Sequence, residues 1–305
     1  CLAIDQIAQS GLSSLSVIYY FAKLFRGRRF TSFESYEKAL RDGIGLGTGE
    51  NYQPWMRPQD FTNSTGIRSA IRGLKTFRQH NTLSGIESEF YYLAEFNDSV
   101  IDIREQFPLL PVTLTQNIAH ILNVPHPALR RKVCDTNKPA VPAVMTTDFV
   151  LTFRNQDGTI KYKSYSVKPD EIISRRNAEK QEIERLFWEG INVRFQIYTG
   201  SEVTRIKSGN ISWFTAPFRM NGLPDYHLDA SLLRAFPPGQ YVLLHMVKQI
   251  ASSLRISTDD AFIALKFMLA TKSIEVDLTS DIVSNGCIVV LSNCACDMGL
   301  ANENN

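Results

Sequence analysis

Residues 146–169 read TTDFVLTFRNQDGTIKYKSYSVKP, and this stretch has the pattern of a β-hairpin. Residues 147–153 and 160–167 are rich in β-branched and aromatic side chains, which favour strands. The residues between them, NQDG, are of the types that form tight turns. Because a hairpin folds the chain back on itself, Asp148 and Lys168 are expected to lie close together at one edge of a sheet.

Helical and extended patterns alternate on both sides of this hairpin. Ser84 is a predicted helix cap, with Glu87 three residues later as its capping-box partner. The order helix, strand, hairpin, helix, strand predicts an α/β layer around a mixed sheet. The predicted helices cover residues 32–41, 84–96 and 173–189, and the predicted strands outside the hairpin cover 100–106 and 193–198.

The pattern changes after residue 220. Three helical segments are followed by two strands, an order typical of a winged-helix domain. The helical segments cover 228–235, 240–254 and 258–270, and the strands cover 273–278 and 287–291. We therefore predict an N-terminal helical extension over 1–42, a central α/β domain over 43–220, and a winged-helix domain with a loose tail over 221–305.

Composition excludes several classes of protein. The 305 residues are 44% apolar and 21% charged, which does not fit a disordered, collagen-like or coiled-coil chain. No stretch reaches the ~18 apolar residues of a membrane helix, so no membrane partner is expected. The five cysteines are not spaced like a disulfide framework, which favours a reducing compartment, and we expect a cytoplasmic protein.

The net charge of +2 conceals an uneven distribution along the chain. Residues 1–85 and 149–220 carry +5 and +4, whereas 86–148 and 221–305 carry −3 and −4. Four cations between residues 60 and 87 have no acidic neighbour in that stretch, and they are candidates for contacts with a phosphate backbone. An equally good alternative is a solvated basic helix face. The four residues are Arg68, Arg72, Lys75 and Arg78.

Glu87, Asp148 and Lys168 form a candidate catalytic group. Carboxylate oxygens suit Mg²⁺, and a bound metal can activate water and stabilise a phosphodiester transition state. The lysine can stabilise the negative charge that develops on the phosphate. On the residue types alone, an ordinary strand-end role for Asp148 is the stronger alternative.

Several sequence motifs favour the catalytic interpretation. They are GTGENYQPW at 47–55, IE at 86–87, VIDIREQFP at 100–108, MTTDF at 145–149, SVKP at 166–169 and EIERLFW at 182–188. Together they resemble the TnsA endonuclease family of Tn7-like heteromeric transposases, which belongs to the restriction-endonuclease-like superfamily. The resemblance covers roughly residues 40 to 215 in consistent order.

The resemblance implies a restriction-endonuclease-like domain over 43–220 with a Mg²⁺-dependent nuclease activity, for which Mn²⁺ would substitute. A nuclease of this family cuts the 5′ ends of a transposon in double-stranded DNA. A TnsB-type transposase processes the 3′ ends, and a TnsC-type ATPase regulator links both to target DNA.

The resemblance also assigns roles to individual residues. Glu87 and Asp148 would be metal ligands, Lys168 would orient the base or stabilise charge, and the Val167 carbonyl would be a further ligand. Glu184 is a weaker candidate ligand. Ser166 stands where the family usually has Gln or Glu, and its hydroxyl is a poorer ligand for a metal.

Three further hypotheses remain open from the sequence. A stand-alone restriction or repair nuclease would share the same site, and a non-enzymatic DNA-binding adaptor would not need it. In the acidic segment 221–305, the predicted helix at 258–270 carries Asp259, Asp260 and Lys266. Because Arg and Lys dominate at phosphate contacts, this helix favours a protein partner over DNA.

Overall fold

The computed structural model describes residue 28 and residues 30–60, 67–129, 140–169, 174–224 and 230–294. Most of the predicted N-terminal extension and the predicted tail lie outside the described residues. In chain order the elements are α1 (Phe33–Arg41), β1 (Ser69–Arg72), β2 (Gln79–Thr82), α2 (Gly85–Phe96), β3 (Val100–Pro108), α3 (Val112–Ile121), β4 (Thr146–Arg154), β5 (Ile160–Val167), α4 (Arg175–Gly190), β6 (Arg194–Tyr198), α5 (Glu202–Thr215), α6 (Ala230–Arg234), β7 (Gly239–Val242), α7 (Leu243–Leu254), α8 (Thr258–Ala270), β8 (Ile274–Val276), α9 (Ile282–Asn285) and β9 (Cys287–Asn293).

A four-stranded sheet forms the centre of the molecule, in the order β3-β4-β5-β6. The β3–β4 and β4–β5 pairs are antiparallel, whereas β6 runs parallel to β5. This confirms the predicted mixed sheet and the predicted hairpin within it. The parallel pair requires a crossover, which α4 supplies between β5 and β6.

Helices cover both faces of this sheet because β4 is apolar on both sides. Phe149 and Leu151 pack with α2 on one face, while Val150, between them, packs with α3 and α4 on the other. Burying each such large side chain contributes about 1.5–3 kcal/mol. The mixed sheet flanked by helices is the architecture expected of a nuclease fold.

A two-stranded hairpin, β1–β2, occupies the stretch that carries the cluster of cations. The stretch is therefore not a helix. Arg78 forms two hydrogen bonds with Glu105 of β3, at 2.8 and 2.6 Å, and the Nδ1 of His80 lies 2.9 Å from the same carboxylate. All three side chains are buried. The hairpin is thus joined to β3 through a buried ionic network.

The described residues of the C-terminal part include α-helices α5 to α9 and a three-stranded antiparallel sheet in the order β7-β9-β8. One prediction here is wrong: residues 240–242 belong to strand β7 rather than to a helix, because they pair with β9. Helix α5 was not predicted, although Ser201 and Thr204 form a capping box at its start. Its residues Ile211 and Phe214 share a core with α7 and α8, so elements on both sides of residue 220 pack together.

Within the described residues, no helix combines the length and the apolar character needed to cross a membrane.

The buried network predicts a large loss of stability in Glu105→Gln. Neutralising the carboxylate leaves the Arg78 guanidinium buried without its counter-ion, which typically costs about 3–5 kcal/mol. Urea unfolding of the full chain measures this loss. Arg72→Gln is the matched control, because Arg72 is exposed on the same hairpin and should change the free energy of unfolding by less than about 0.5 kcal/mol. Equal stability of the two variants would contradict a network that joins the hairpin to β3.

The same carboxylate predicts acid sensitivity. Burial alone would raise the pKa of Glu105, but His80 and Arg78 outweigh burial and lower this pKa to about 2. A glutamate in the unfolded chain titrates near ~4.3, so the contribution of ionised Glu105 to stability is lost as the pH falls from about 4.3 towards 2. The free energy of unfolding should therefore fall less steeply between about pH 5 and 3 in Glu105→Gln than in the wild type, by up to about 1.4 kcal/mol per pH unit. Identical slopes would show that Glu105 is not held ionised by its partners.

Candidate active site

The hairpin β4–β5 brings Asp148 and Lys168 together at one edge of the sheet. Phe149 pairs with Tyr165, so Asp148 lies beside the last residues of β5. The Asp148 Oδ2 atom accepts hydrogen bonds from the Val167 amide at 2.7 Å and from the Lys168 ammonium at 2.6 Å. The proximity predicted from the hairpin is therefore present.

Lys168 has carboxylates around it. Burial by itself would lower the pKa of Lys168, but Asp148, Glu184 and Glu87 outweigh burial and raise it. The ammonium group also donates a hydrogen bond to the Val167 carbonyl at 3.1 Å. Lys168 is therefore positively charged and fixed at the sheet edge.

Glu87 reaches the same place from the first turn of α2. Ser84 caps this helix, as predicted, and the Glu87 carboxylate accepts hydrogen bonds from the Leu83 amide at 2.9 Å and the Ser84 hydroxyl at 3.1 Å. Burial, followed by the charge of Asp148, raises the pKa of Glu87 to about 7. These contacts hold the carboxylate near Asp148 at a cost in electrostatic energy.

Glu184 approaches from α4 and is also buried. Burial, followed by the charge of Asp148, raises the pKa of Glu184 to about 8. Its Oε1 atom is buried without a hydrogen-bond partner. The structure therefore brings Glu87, Asp148, Lys168 and Glu184 into one electrostatically coupled group.

This group fits a hard divalent cation. Two buried carboxylates resist ionisation because a third lies nearby, and a cation would favour their charged forms. Among the described residues, no group of three or more His, Cys, Asp or Glu side chains is placed so that it could hold a metal ion. Mg²⁺ does not require one, because it usually binds one or two carboxylates and keeps several waters.

Ser166 and Val167 complete the backbone around Asp148. The Ser166 side chain is buried, and its hydroxyl lies 3.5 Å from Asp148 Oδ2. That hydroxyl therefore faces the aspartate and not an open position. The Val167 carbonyl lies at the same sheet edge, where it can offer a further oxygen.

The four candidate DNA-binding cations do not form one exposed stripe. Arg78 is buried in its pair with Glu105, and Lys75 donates hydrogen bonds to the carbonyls of Asn97 and Val100. The Arg68 guanidinium donates to the Pro58 carbonyl at 2.7 Å. Of the four, Arg72 alone is exposed. Only Arg78 is neutralised by a carboxylate, whereas Arg68 and Lys75 are half-buried, so DNA contact by these cations stays a prediction.

Thr147 is a site residue that the sequence did not single out. It is buried, and its hydroxyl accepts a hydrogen bond from the indole of Trp188 in α4 at 2.6 Å. Alternation along β4 would place Thr147 on the same face as Phe149 and Leu151, which pack with α2, so the strand pattern does not predict its contact with Trp188 of α4.

Comparison with known proteins gives two matches. Residues 97–200 match the family described as TnsA-like endonuclease N terminal. The chain is also 28% identical over 259 residues to the Transposon Tn7 transposition protein TnsA of Escherichia coli, and this alignment covers 82% of the chain and 88% of that protein. The family match includes Asp148, Lys168 and Glu184. Both matches thus support a TnsA-like protein.

Proposed function

We propose that this chain is a Mg²⁺-dependent endonuclease that cuts the 5′ ends of a transposon during cut-and-paste transposition. Its partners would be double-stranded transposon-end DNA, a TnsB-type transposase and a TnsC-type ATPase regulator, in the cytoplasm. The proposal is supported most by the contact between Lys168 and Asp148 at one sheet edge, at 2.6 Å, and by Glu87 and Glu184, whose pKa values burial and then the charge of Asp148 raise.

Each residue has a distinct role in this proposal. Glu87, Asp148 and the Val167 carbonyl would hold Mg²⁺, and Glu184 is a further candidate ligand, whereas Ser166 faces Asp148 and contributes little. Bound Mg²⁺, for which Mn²⁺ would substitute, supplies Lewis-acid stabilisation and an acidified water. Lys168 presents a fixed ammonium group that orients the attacking water and stabilises charge on the phosphate. Asp148 holds that ammonium group in position at 2.6 Å.

For the C-terminal part we propose a winged-helix domain. The order α6, β7, α7, α8, β8, α9, β9 places the pair α7–α8 before the last two strands of the β7-β9-β8 sheet. Asp259 and Asp260 lie in the first turn of helix α8. The ammonium group of Lys266, in the same helix, lies 4.8 Å from the ring centre of Trp213 in α5. Lys266 therefore faces the protein, whereas Asp259 and Asp260 are exposed. For this reason we propose that helix α8 contacts the TnsC-type regulator and not DNA.

The first prediction from this proposal concerns the catalytic group. Asp148→Ala and Lys168→Ala should each reduce 5′-strand cleavage by at least about 100-fold, because the first removes a metal ligand and the second removes positive charge at the phosphate. Asp157→Ala and Lys161→Ala are matched controls, because both residues are exposed on the same hairpin. The assay is cleavage of transposon-end DNA by the full chain with its transposase and regulator in Mg²⁺.

The outcomes of this assay separate the rival functions. Full cleavage by Asp148→Ala would refute the site. Cleavage by the wild type alone, without transposase, would indicate a stand-alone nuclease. Transposition that is unaffected by all three substitutions, at Glu87, Asp148 and Lys168, would indicate a non-enzymatic adaptor. Chelation by EDTA should abolish cleavage, and added Mg²⁺ should restore it.

The second prediction concerns α8. Asp259→Asn/Asp260→Asn should weaken binding of the full chain to the regulator by about 2- to 30-fold, because two exposed ionic contacts contribute about 0.2–1 kcal/mol each. The Ser257 hydroxyl donates a hydrogen bond to the Asp260 carboxylate at 2.7 Å. Asp260→Asn retains a side-chain oxygen that can accept this hydrogen bond. Asp157→Asn is the control, because Asp157 is an exposed acid on the β4–β5 hairpin and its substitution should leave binding to the regulator unchanged. Unchanged affinity for the regulator, or tighter binding to duplex DNA at moderate salt, would contradict a protein-facing helix.

A further inference from the structure

Gln106 lies directly across from Asp148 in the central sheet. Glu105 pairs with Phe149, and Phe107 pairs with Thr147, which places Gln106 and Asp148 opposite each other. Gln106 has a φ of 48°, in the left-handed region, although it lies inside strand β3. Non-glycine residues rarely adopt this conformation, so the surroundings must hold it in place.

The segment 43–55, called here the glycine loop, supplies the contacts that hold this backbone. The Trp55 amide donates to the Gln106 carbonyl at 3.1 Å, and the Tyr52 hydroxyl donates to the Glu105 carbonyl at 3.0 Å. Gly45 permits this approach, because a Cβ atom there would lie 2.6 Å from the Pro108 ring. The Gln106 peptide is therefore turned towards the glycine loop.

The Gln106 side chain consequently points to the active site. It is buried, and its Oε1 atom accepts a hydrogen bond from the Thr146 hydroxyl at 3.1 Å. That contact orients the amide, because only the oxygen end can accept. The Nε2 atom then faces Asp148 Oδ1 at a distance of 3.4 Å.

The two oxygens of Asp148 have different partners. Oδ2 accepts from the Val167 amide and the Lys168 ammonium group. Among the residues that the structure describes, Gln106 supplies the hydrogen-bond donor to Oδ1. Donors on both oxygens define the rotation of the carboxylate about its χ2 angle.

We infer that Gln106 is a positioning residue that orients the Asp148 carboxylate towards the metal. The inference rests on the proposed function, because it assumes that Asp148 binds Mg²⁺. Hydrogen bonds to a ligating carboxylate orient it, and their loss typically weakens metal affinity about 10- to 100-fold. The glycine loop thereby acts on the active site through Gln106, without touching the metal itself.

The test compares metal binding by Gln106→Met with that of the wild type. Methionine has a similar length but offers no donor to Oδ1. Mn²⁺ binding to the full chain, measured by electron paramagnetic resonance, should be about 10- to 100-fold weaker, and the Mg²⁺ concentration for half-maximal cleavage should rise by a similar factor. Saturating Mg²⁺ should restore cleavage to near the wild-type rate, because Glu87, Asp148 and Lys168 are all retained.

Gln196→Met is the matched control, because Gln196 is a half-buried glutamine in β6 of the same sheet. It should leave Mn²⁺ binding unchanged. If Gln106→Met binds Mn²⁺ as the wild type does, the inference is overturned, and a lower urea midpoint would then show a purely structural role. If wild type and Asp148→Ala bind Mn²⁺ equally, the proposed metal site itself fails, and the inference fails with it.

Discussion

A single oxygen of Asp148 joins β4 to the end of β5 at the edge of the sheet that carries the candidate active site. This oxygen accepts hydrogen bonds from the Val167 amide at 2.7 Å and from the Lys168 ammonium group at 2.6 Å. Both contacts depend on the register of β4 against β5, because a slip of one residue would turn Asp148 to the other face of the sheet. The turn between β4 and β5 fixes this register, with the Asn155 amide donating to the Thr159 carbonyl and the Gly158 amide to the Asn155 carbonyl, both at 2.9 Å. The turn thus determines the geometry of the polar site.

The same site is electrostatically expensive without a cation. Burial and the neighbouring Asp148 raise the pKa of both Glu87 and Glu184, to about 7 and about 8. Lys168 compensates for part of this negative charge, and the buried Oε1 atom of Glu184 is left without a hydrogen bond. Polar groups that a protein leaves poorly satisfied tend to lie at functional sites. The surrounding core and the network at Glu105 offset this cost.

Local patterns in the sequence were enough to predict the hairpin and the Ser84 cap, because each depends on residues a few positions apart. The proximity of Asp148 and Lys168 followed from the hairpin alone. The burial of Arg78 could not be predicted, since its partner Glu105 lies 27 residues away and is reached only through tertiary folding. Strand β7 was missed for the same reason: it exists because β9 lies beside it. The left-handed backbone of Gln106 likewise depends on contacts with a distant loop.

The most direct test of the account is a crystal structure of the full chain soaked in Mn²⁺, with data collected at the manganese absorption edge. The account predicts an anomalous peak for a Mn²⁺ ion that is bound by the carboxylates of Glu87 and Asp148 and by the Val167 carbonyl, with Lys168 beside it. If saturating Mn²⁺ gives no peak at these oxygens, or gives a peak only elsewhere on the chain, the assignment of this sheet edge as a metal-dependent nuclease site is contradicted.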